Sequence, residues 1–174
     1  MPSIGHFGVG AAAGRALSRR EGTLAAAVTL FSALSLLPDL DGIAFPLGIP
    51  DAAPFGHRGA SHSFAAAAAA GLLCGAAGRA VGLSFPRAAL SGAAVTATHG
   101  LLDTLTDGGL GVALLWPFSN RRFFAPWRPI PVAPIGLGML SSRGAFVVAA
   151  EAAMFLPFFL YAFWPRRRRR GPSK

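Results

Sequence analysis

The chain has 174 residues, of which 53% are apolar and only 13% charged, and its mean hydropathy of +0.51 excludes both an ordinary soluble globule and a disordered chain, the latter needing low hydrophobicity. A single cysteine, Cys74, excludes a disulfide framework and a cysteine-rich zinc site, and the length sets a prior of one domain. The net charge of +9 lies mainly in the tail, Arg166 to Arg170 with Lys174, a placement that reads as a topology anchor after an apolar helix rather than as a nucleic-acid face.

Five apolar segments follow in order. Ser3 to Leu17 is short and glycine-rich and leads to Arg15, Arg19 and Arg20. Thr23 to Leu37 is apolar throughout and is expected to stop before Pro38, because proline disfavours helix in the preceding residue. At 1.5 Å per residue, these two segments of 15 residues reach only about 22 Å, short of the roughly 30 Å hydrocarbon core, and so are marginal spans. Ser63 to Leu83 is almost all alanine, glycine and leucine, and its Gly71/Gly75 and Gly78/Gly82 pairs allow close helix packing. Ala88 to Thr106 follows Arg87. A long proline-rich connection, Asp107 to Ser142, carries Arg121, Arg122 and Arg128, and connections of that length tend to be functional or mobile. Ala145 to Trp164 is phenylalanine-rich and precedes the arginine run. Met1 to Gly10 lacks the positive start of a cleavable signal. These segments predict an all-α, polytopic helical membrane protein with four to five short spans, residues 1–165 forming one domain and 166–174 a basic tail.

Polar residues are scarce enough for their positions to matter. Four histidines and three of the seven acids gather near helix ends: His6, then Asp39 and Asp41 in LLPDLDG, His57 and His62 in GHRGASHS, and His99 with Asp103 in HGLLD. Any one of them reads equally well as a turn or helix-end residue. If all five segments span, however, parity alone brings all seven to one membrane face. Ionisable groups at membrane depth are costly and usually functional. Imidazole and carboxylate together suit a divalent ion, zinc foremost in the absence of cysteine, with one or two ions held. His99 and Asp103 stand at i and i+4 on one helical face. Asp39 and Asp41 are expected two apart in an extended turn, able to bridge or share ions. A turn containing Gly59 is expected to fold both His57 and His62 inward.

The order of these motifs resembles the YdjM-type family of membrane-bound, metal-dependent hydrolases. The likeness runs through Gly5 and His6, Leu36 to Asp41, Gly56 to Ser63, His99 to Gly109 and Leu114 to Pro117. Where that family usually has a proline after Leu105 and Thr106, this chain has Asp107. The resemblance implies a helical membrane protein with hydrolase activity and a metal site formed by His6, Asp39, Asp41, His57, His62, His99 and Asp103. The His-x-x-x-Asp element is also similar to that of zinc-dependent phospholipase C and related helical nucleases, which cleave phosphodiesters.

In outline, metal would lower the pKa of bound water and polarise the scissile oxygen. Asp41 or Asp103 would take the proton, and Arg58 would pair with a phosphate or oxyanion. Arg58 reads equally well as a structural partner of Asp39 or Asp41. The expected partners are membrane lipid and a lipid or phosphoester substrate, with no nucleic acid. The other reading is a non-enzymatic protein that binds or transports a divalent ion, with Glu151 and Arg79 as the internal polar residues a path would use. Glu151 more readily pairs with an arginine or supports the site from behind its ligands. On one side of the five-span arrangement lie Arg15, Arg19, Arg20, Arg79, Arg87, Arg166 to Arg170 and Lys174, and on the other Arg58, Arg121, Arg122, Arg128 and Arg143. The richer side should be cytoplasmic, leaving the site on the non-cytoplasmic face of the plasma (inner) membrane.

Overall fold

The structure, a computed structural model, describes residues 3–18, 21–80 and 84–165. Six α-helices account for most of them: α1 Ile4–Leu17, α2 Leu24–Leu36, α3 Phe64–Ala80, α4 Phe85–Asp103, α5 Ser142–Met154 and α6 Leu156–Phe163. Short 3-10 turns fill the junctions, and the described residues form no strand beyond two isolated bridges, Thr106 with Ile130 and Val112 with Phe123. The all-α expectation is met. Arg19, Arg20, Gly82, Leu83 and the tail from Arg166 lie outside the described residues.

Two helical pairs make the framework, and small residues explain both. On α1, a Cβ at Gly10 would sit 2.6 Å from the Phe31 carbonyl oxygen, and one at Gly14 would sit 2.5 Å from that of Ala27. The backbones of α1 and α2 therefore meet directly. On α3, a Cβ at Gly71 would sit 2.5 Å from the Ala89 carbonyl oxygen and one at Gly75 would press on Ala89 and Phe85 of α4, so the expected close packing of this pair is realised. Ser35 Oγ donates to the His6 carbonyl at 2.8 Å and Thr96 Oγ1 to the Leu34 carbonyl at 3.3 Å, which ties α1 and α4 to α2.

Several boundaries differ from the sequence expectation. Helix α4 begins at Phe85 rather than Ala88, with Pro86 in its first turn where no amide donor is required. The last apolar segment is broken at Phe155 into α5 and α6, bent by 59°. Pro38 does not end the second helix in an extended turn: Leu37 stays right-handed and the chain tightens into a 3-10 helix, Leu37–Ala44, with Pro38 in its first turn. By length and composition, one stretch among the described residues, Leu24–Ala44, is long and apolar enough to cross a membrane, and the bent α5–α6 pair would make a second.

The distribution of polarity is inverted relative to a soluble globule. The largest fully buried side chains include His6, His99 and Glu151, whereas Leu72, Leu73, Leu90, Leu160 and Phe163 are exposed. Apolar side chains that point outward around buried ionisable groups suit a lipid surround.

Candidate metal centre

Four chain segments deliver the polar interior. The first turn of α1 carries His6, the 3-10 helix after α2 carries Asp39 and Asp41, the turn before α3 carries His57, Arg58 and His62, and the last turn of α4 carries His99 and Asp103. Five of the seven expected residues converge. His6 Nε2 is 3.2 Å from Asp103 Oδ1, His99 Nε2 is 3.3 Å from Asp39 Oδ1, and His62 Nε2 is 3.6 Å from Asp103 Oδ2. The Nε2 atoms of His62 and His99 are 3.1 Å apart, and the His6 and His99 rings stack with centroids 3.5 Å apart. His6, Asp39 and His99 form one group able to hold an ion and His62, His99 and Asp103 another, the potential ligand atoms of each lying within 4.8 Å of one another.

Asp41 and His57 stand outside this cluster. In a 3-10 helix each residue turns the side chain by about 120°, so positions two apart diverge. Asp39 consequently faces His99, while Asp41 faces the Gly56–Gly59 turn. Asp41 Oδ1 accepts from His57 Nδ1 at 2.7 Å, and its Oδ2 takes the Arg58 amide at 3.0 Å and the Ser61 hydroxyl, with His62 Nδ1 at 3.1 Å. Both oxygens are thus engaged, which leaves Asp41 a holding group rather than a bridging one. The turn folds only His62 inward, and the His57 ring remains 26% exposed on the outer side of Asp41.

Arg58 answers the choice left open by sequence in a third way. Its guanidinium is buried, with Nε 2.8 Å from Asp103 Oδ2 and Nη1 donating to the Gly108 carbonyl at 2.9 Å. It pairs with neither Asp39 nor Asp41, and it is not displayed to a phosphate. Its backbone lies in the left-handed region at φ 61, a conformation that costs a non-glycine residue about 1–3 kcal/mol. Two bonds fix that conformation: the Arg58 amide to Asp41, and the Ala113 amide, which donates to the Arg58 carbonyl at 3.0 Å.

The connection Asp107 to Ser142 is pinned to the site. Arg122 Nη2 donates to the Asp51 and Ala53 carbonyls at 2.6 and 3.1 Å, and its Nη1 to the His57 carbonyl at 3.1 Å. It therefore holds the turn from within, whereas Arg121 and Arg128 are exposed and lie over Phe123 and Phe124. Asp107 uses what a proline lacks: its amide donates to the Ile130 carbonyl at 2.9 Å, and its Oδ1 accepts from the Val132 amide at 2.6 Å. Arg79 is exposed at the end of α3 over the Phe85 ring and is not an internal residue.

The donor set fits a cation. His99 Nδ1 lies 2.6 Å from the Ser35 carbonyl, which only accepts, so Nδ1 carries the proton and Nε2 the lone pair. His62 Nδ1 lies against Ser61 Oγ and Asp41, which orients its Nε2 in the same way. Two Nε2 atoms facing each other at 3.1 Å need a proton or a metal between them. Burial disfavours the His62 imidazolium, but the Asp103 and Asp41 carboxylates outweigh that and hold its pKa above the ordinary histidine value. Asp41 behind His62 and the Ser35 carbonyl behind His99 stand where the second ring nitrogen of a metal-bound imidazole commonly finds its acceptor. Ser35 thus meets His99 with its carbonyl and His6 with its hydroxyl, and sequence reasoning passed over it.

An all-helical chain with lipid-suited outer faces and buried ionisable groups at one end of its helices defines a helical membrane protein with an enclosed polar site. The chain belongs to the YdjM inner membrane protein family, whose model matches residues 1–168. It is 41% identical over 144 residues to the inner membrane protein YbcI of Escherichia coli (strain K12), covering 78% of this chain and 81% of that relative. No solved structure matches the chain. Family and relative are both inner membrane proteins, in accord with the location expected from sequence.

Proposed function

We propose that the chain is a membrane-bound hydrolase that holds one divalent ion, zinc foremost, between His6, Asp39, His62, His99 and Asp103, and acts on a phosphoester of a lipid or lipid-linked substrate. The observation that carries this reading is the opposition of the His62 and His99 Nε2 atoms at 3.1 Å, each ring held from behind at Nδ1. Both groups of potential ligands contain His99, whose Nε2 faces Asp39 Oδ1 at 3.3 Å and His62 Nε2 at 3.1 Å, which favours a single ion over two. A divalent ion there would supply the electrophile and lower the pKa of water.

The chain's own groups then divide the work. Asp39 is the ligand carboxylate with an open side, 22% exposed, and its Oδ2 is steadied by the Ser3 hydroxyl at 2.8 Å. It is better placed than Asp41 or Asp103 to take a proton from water at the mouth of the site, since both Asp41 oxygens are engaged and Asp103 is enclosed with Arg58. Asp41 orients His62, and Arg58 compensates the charge of Asp103.

The same reading takes α1, α2, α3, α4 and the bent α5–α6 pair as four to five short spans, with the site at the non-cytoplasmic face. Its support is the gathering of His6, Asp39, His62, His99 and Asp103 at one end of the helices, as alternating spans require, together with the eleven-to-five imbalance of basic residues.

The test is elemental analysis of protein purified in detergent without chelator, followed by a phosphodiester and phospholipid screen with the metal-loaded protein. About one equivalent of metal and a chelator-sensitive cleavage are expected. Absence of stoichiometric metal overturns the centre. Ion movement in proteoliposomes without ester cleavage overturns the hydrolase in favour of transport.

A further inference from the structure

The three imidazoles of the cluster are not held alike. His62 and His99 are each fixed at Nδ1 by an acceptor, whereas His6 Nδ1 is buried with no hydrogen-bond partner among the described residues. The direction of the His6 ring therefore depends on its Nε2 contact with Asp103 at 3.2 Å, on its stacking against His99, and on the backbone that carries it.

That backbone is the first turn of α1, whose leading amides have no acceptor within the helix. Ser3, at the N-cap position, does not cap it, because its hydroxyl is committed to Asp39. The acceptor comes from the far end of the sequence: Glu151 Oε2 on α5 accepts from the Gly5 amide at 3.1 Å, across 146 residues. Glu151 is fully buried, and its Oε1 makes no hydrogen bond among the described residues. A carboxyl oxygen can satisfy one of the amides left without an acceptor at a helix N-terminus. A fully enclosed carboxyl group is still costly to keep, more so than a serine cap would be. Its one hydrogen bond among the described residues is to the residue before His6.

Resting on the metal-centre reading above, we propose that Glu151 is a positioning residue of that centre, which sets His6 through the Gly5 amide and so completes the ligand set. It is not a ligand. It acts on the centre through one histidine, and its loss should matter only while that histidine is present.

The test is Co²⁺ titration of the detergent-purified full chain, read by the visible absorption of the bound ion, for wild type, Glu151→Ala, Glu151→Gln, His6→Ala and the His6→Ala/Glu151→Ala double variant. Loss of an outer support costs about 10–100-fold in metal affinity, and that loss is expected for Glu151→Ala. Glu151→Gln keeps an oxygen for the Gly5 amide and should restore affinity to within a few-fold of wild type. Glu151→Ala should cost nothing further in the His6→Ala background, because residues acting through one contact are non-additive. The proposal is overturned by wild-type affinity in Glu151→Ala, by an equal loss with and without His6, or by a Glu151→Gln variant as weak as Glu151→Ala. If Glu151→Ala does not fold, Glu151→Asp takes its place: it keeps the carboxyl group, withdraws the oxygen from Gly5, and must lose affinity for the proposal to stand. A wild-type chain that binds no Co²⁺ defeats the metal centre itself and is thereby distinguished from failure of the Glu151 role.

Discussion

Arg58 and Asp103 form an ion pair inside the protein, Nε to Oδ2 at 2.8 Å, although one residue sits in a turn and the other at the end of α4. Removing one partner of such a pair strands a buried charge and costs about 3–5 kcal/mol. Arg58→Ala is therefore expected to unfold at a markedly lower temperature in detergent than wild type, even with metal present. A variant as stable as wild type would show that Arg58 is free for substrate after all.

His57 and Asp41 separate under substitution if the ligand set is as proposed. His57→Ala should retain about one equivalent of metal, since its ring lies outside the cluster behind Asp41. Asp41→Asn should weaken metal affinity by about 10–100-fold, the range for a lost outer support. Competition with a chromophoric chelator measures both. Equal and complete loss of metal in the two variants would return them to the inner set.

His99→Ala is expected to abolish metal binding outright, because His99 belongs to both groups of potential ligands. Metal content of the purified variant, alongside circular dichroism to show that the helices persist, decides this. Retained stoichiometric metal would move the centre elsewhere.

Gly10→Ala tests the seam between α1 and α2. Its new methyl would meet the Phe31 carbonyl oxygen and the Ser32 Cα, both at 2.6 Å and both backbone, which cannot move aside as a side chain would. Overpacking of this kind costs about 1–3 kcal/mol. Since the seam sets His6 against Asp39, metal affinity should fall along with the melting temperature. A variant unchanged in both would mean that the helices slide without consequence.

Orientation is tested by a reporter fused after Lys174 together with thiol labelling of Ala53→Cys in a Cys74→Ala background. An inward carboxy terminus and a position 53 labelled from outside intact cells are expected. The reverse pair of results would show that the basic residues do not set the topology here.

The gathering of the site was legible in the sequence because apolar segments of alternating direction leave few places for charge, and parity alone put His6, Asp39, His62, His99 and Asp103 at one end. The roles of Asp41 and His57 were not legible, because they turn on whether Pro38 ends a helix or starts a 3-10 turn. Both choices satisfy the same local preference, and the tertiary contacts of Asp41 decide between them. The Arg58–Asp103 pair spans 45 positions and leaves no spacing signal. Glu151 stood out as an acid within an apolar segment, but its partner is a backbone amide, which no residue type announces.

The 3-10 segment Leu37–Ala44 has one more consequence, for how this chain tolerates change in length. Each residue added or removed there swings the following side chains by about 120° and shifts them by about 2 Å. Inserting one residue between Asp39 and Asp41 would swing the second carboxylate away from the turn that holds His62, and deleting Leu40 would have the same effect in the opposite sense. Most connections between helices accept insertions readily. This one works as a ruler, and the spacing of its two aspartates should resist drift even where Leu40, exposed between them, is free to vary in kind.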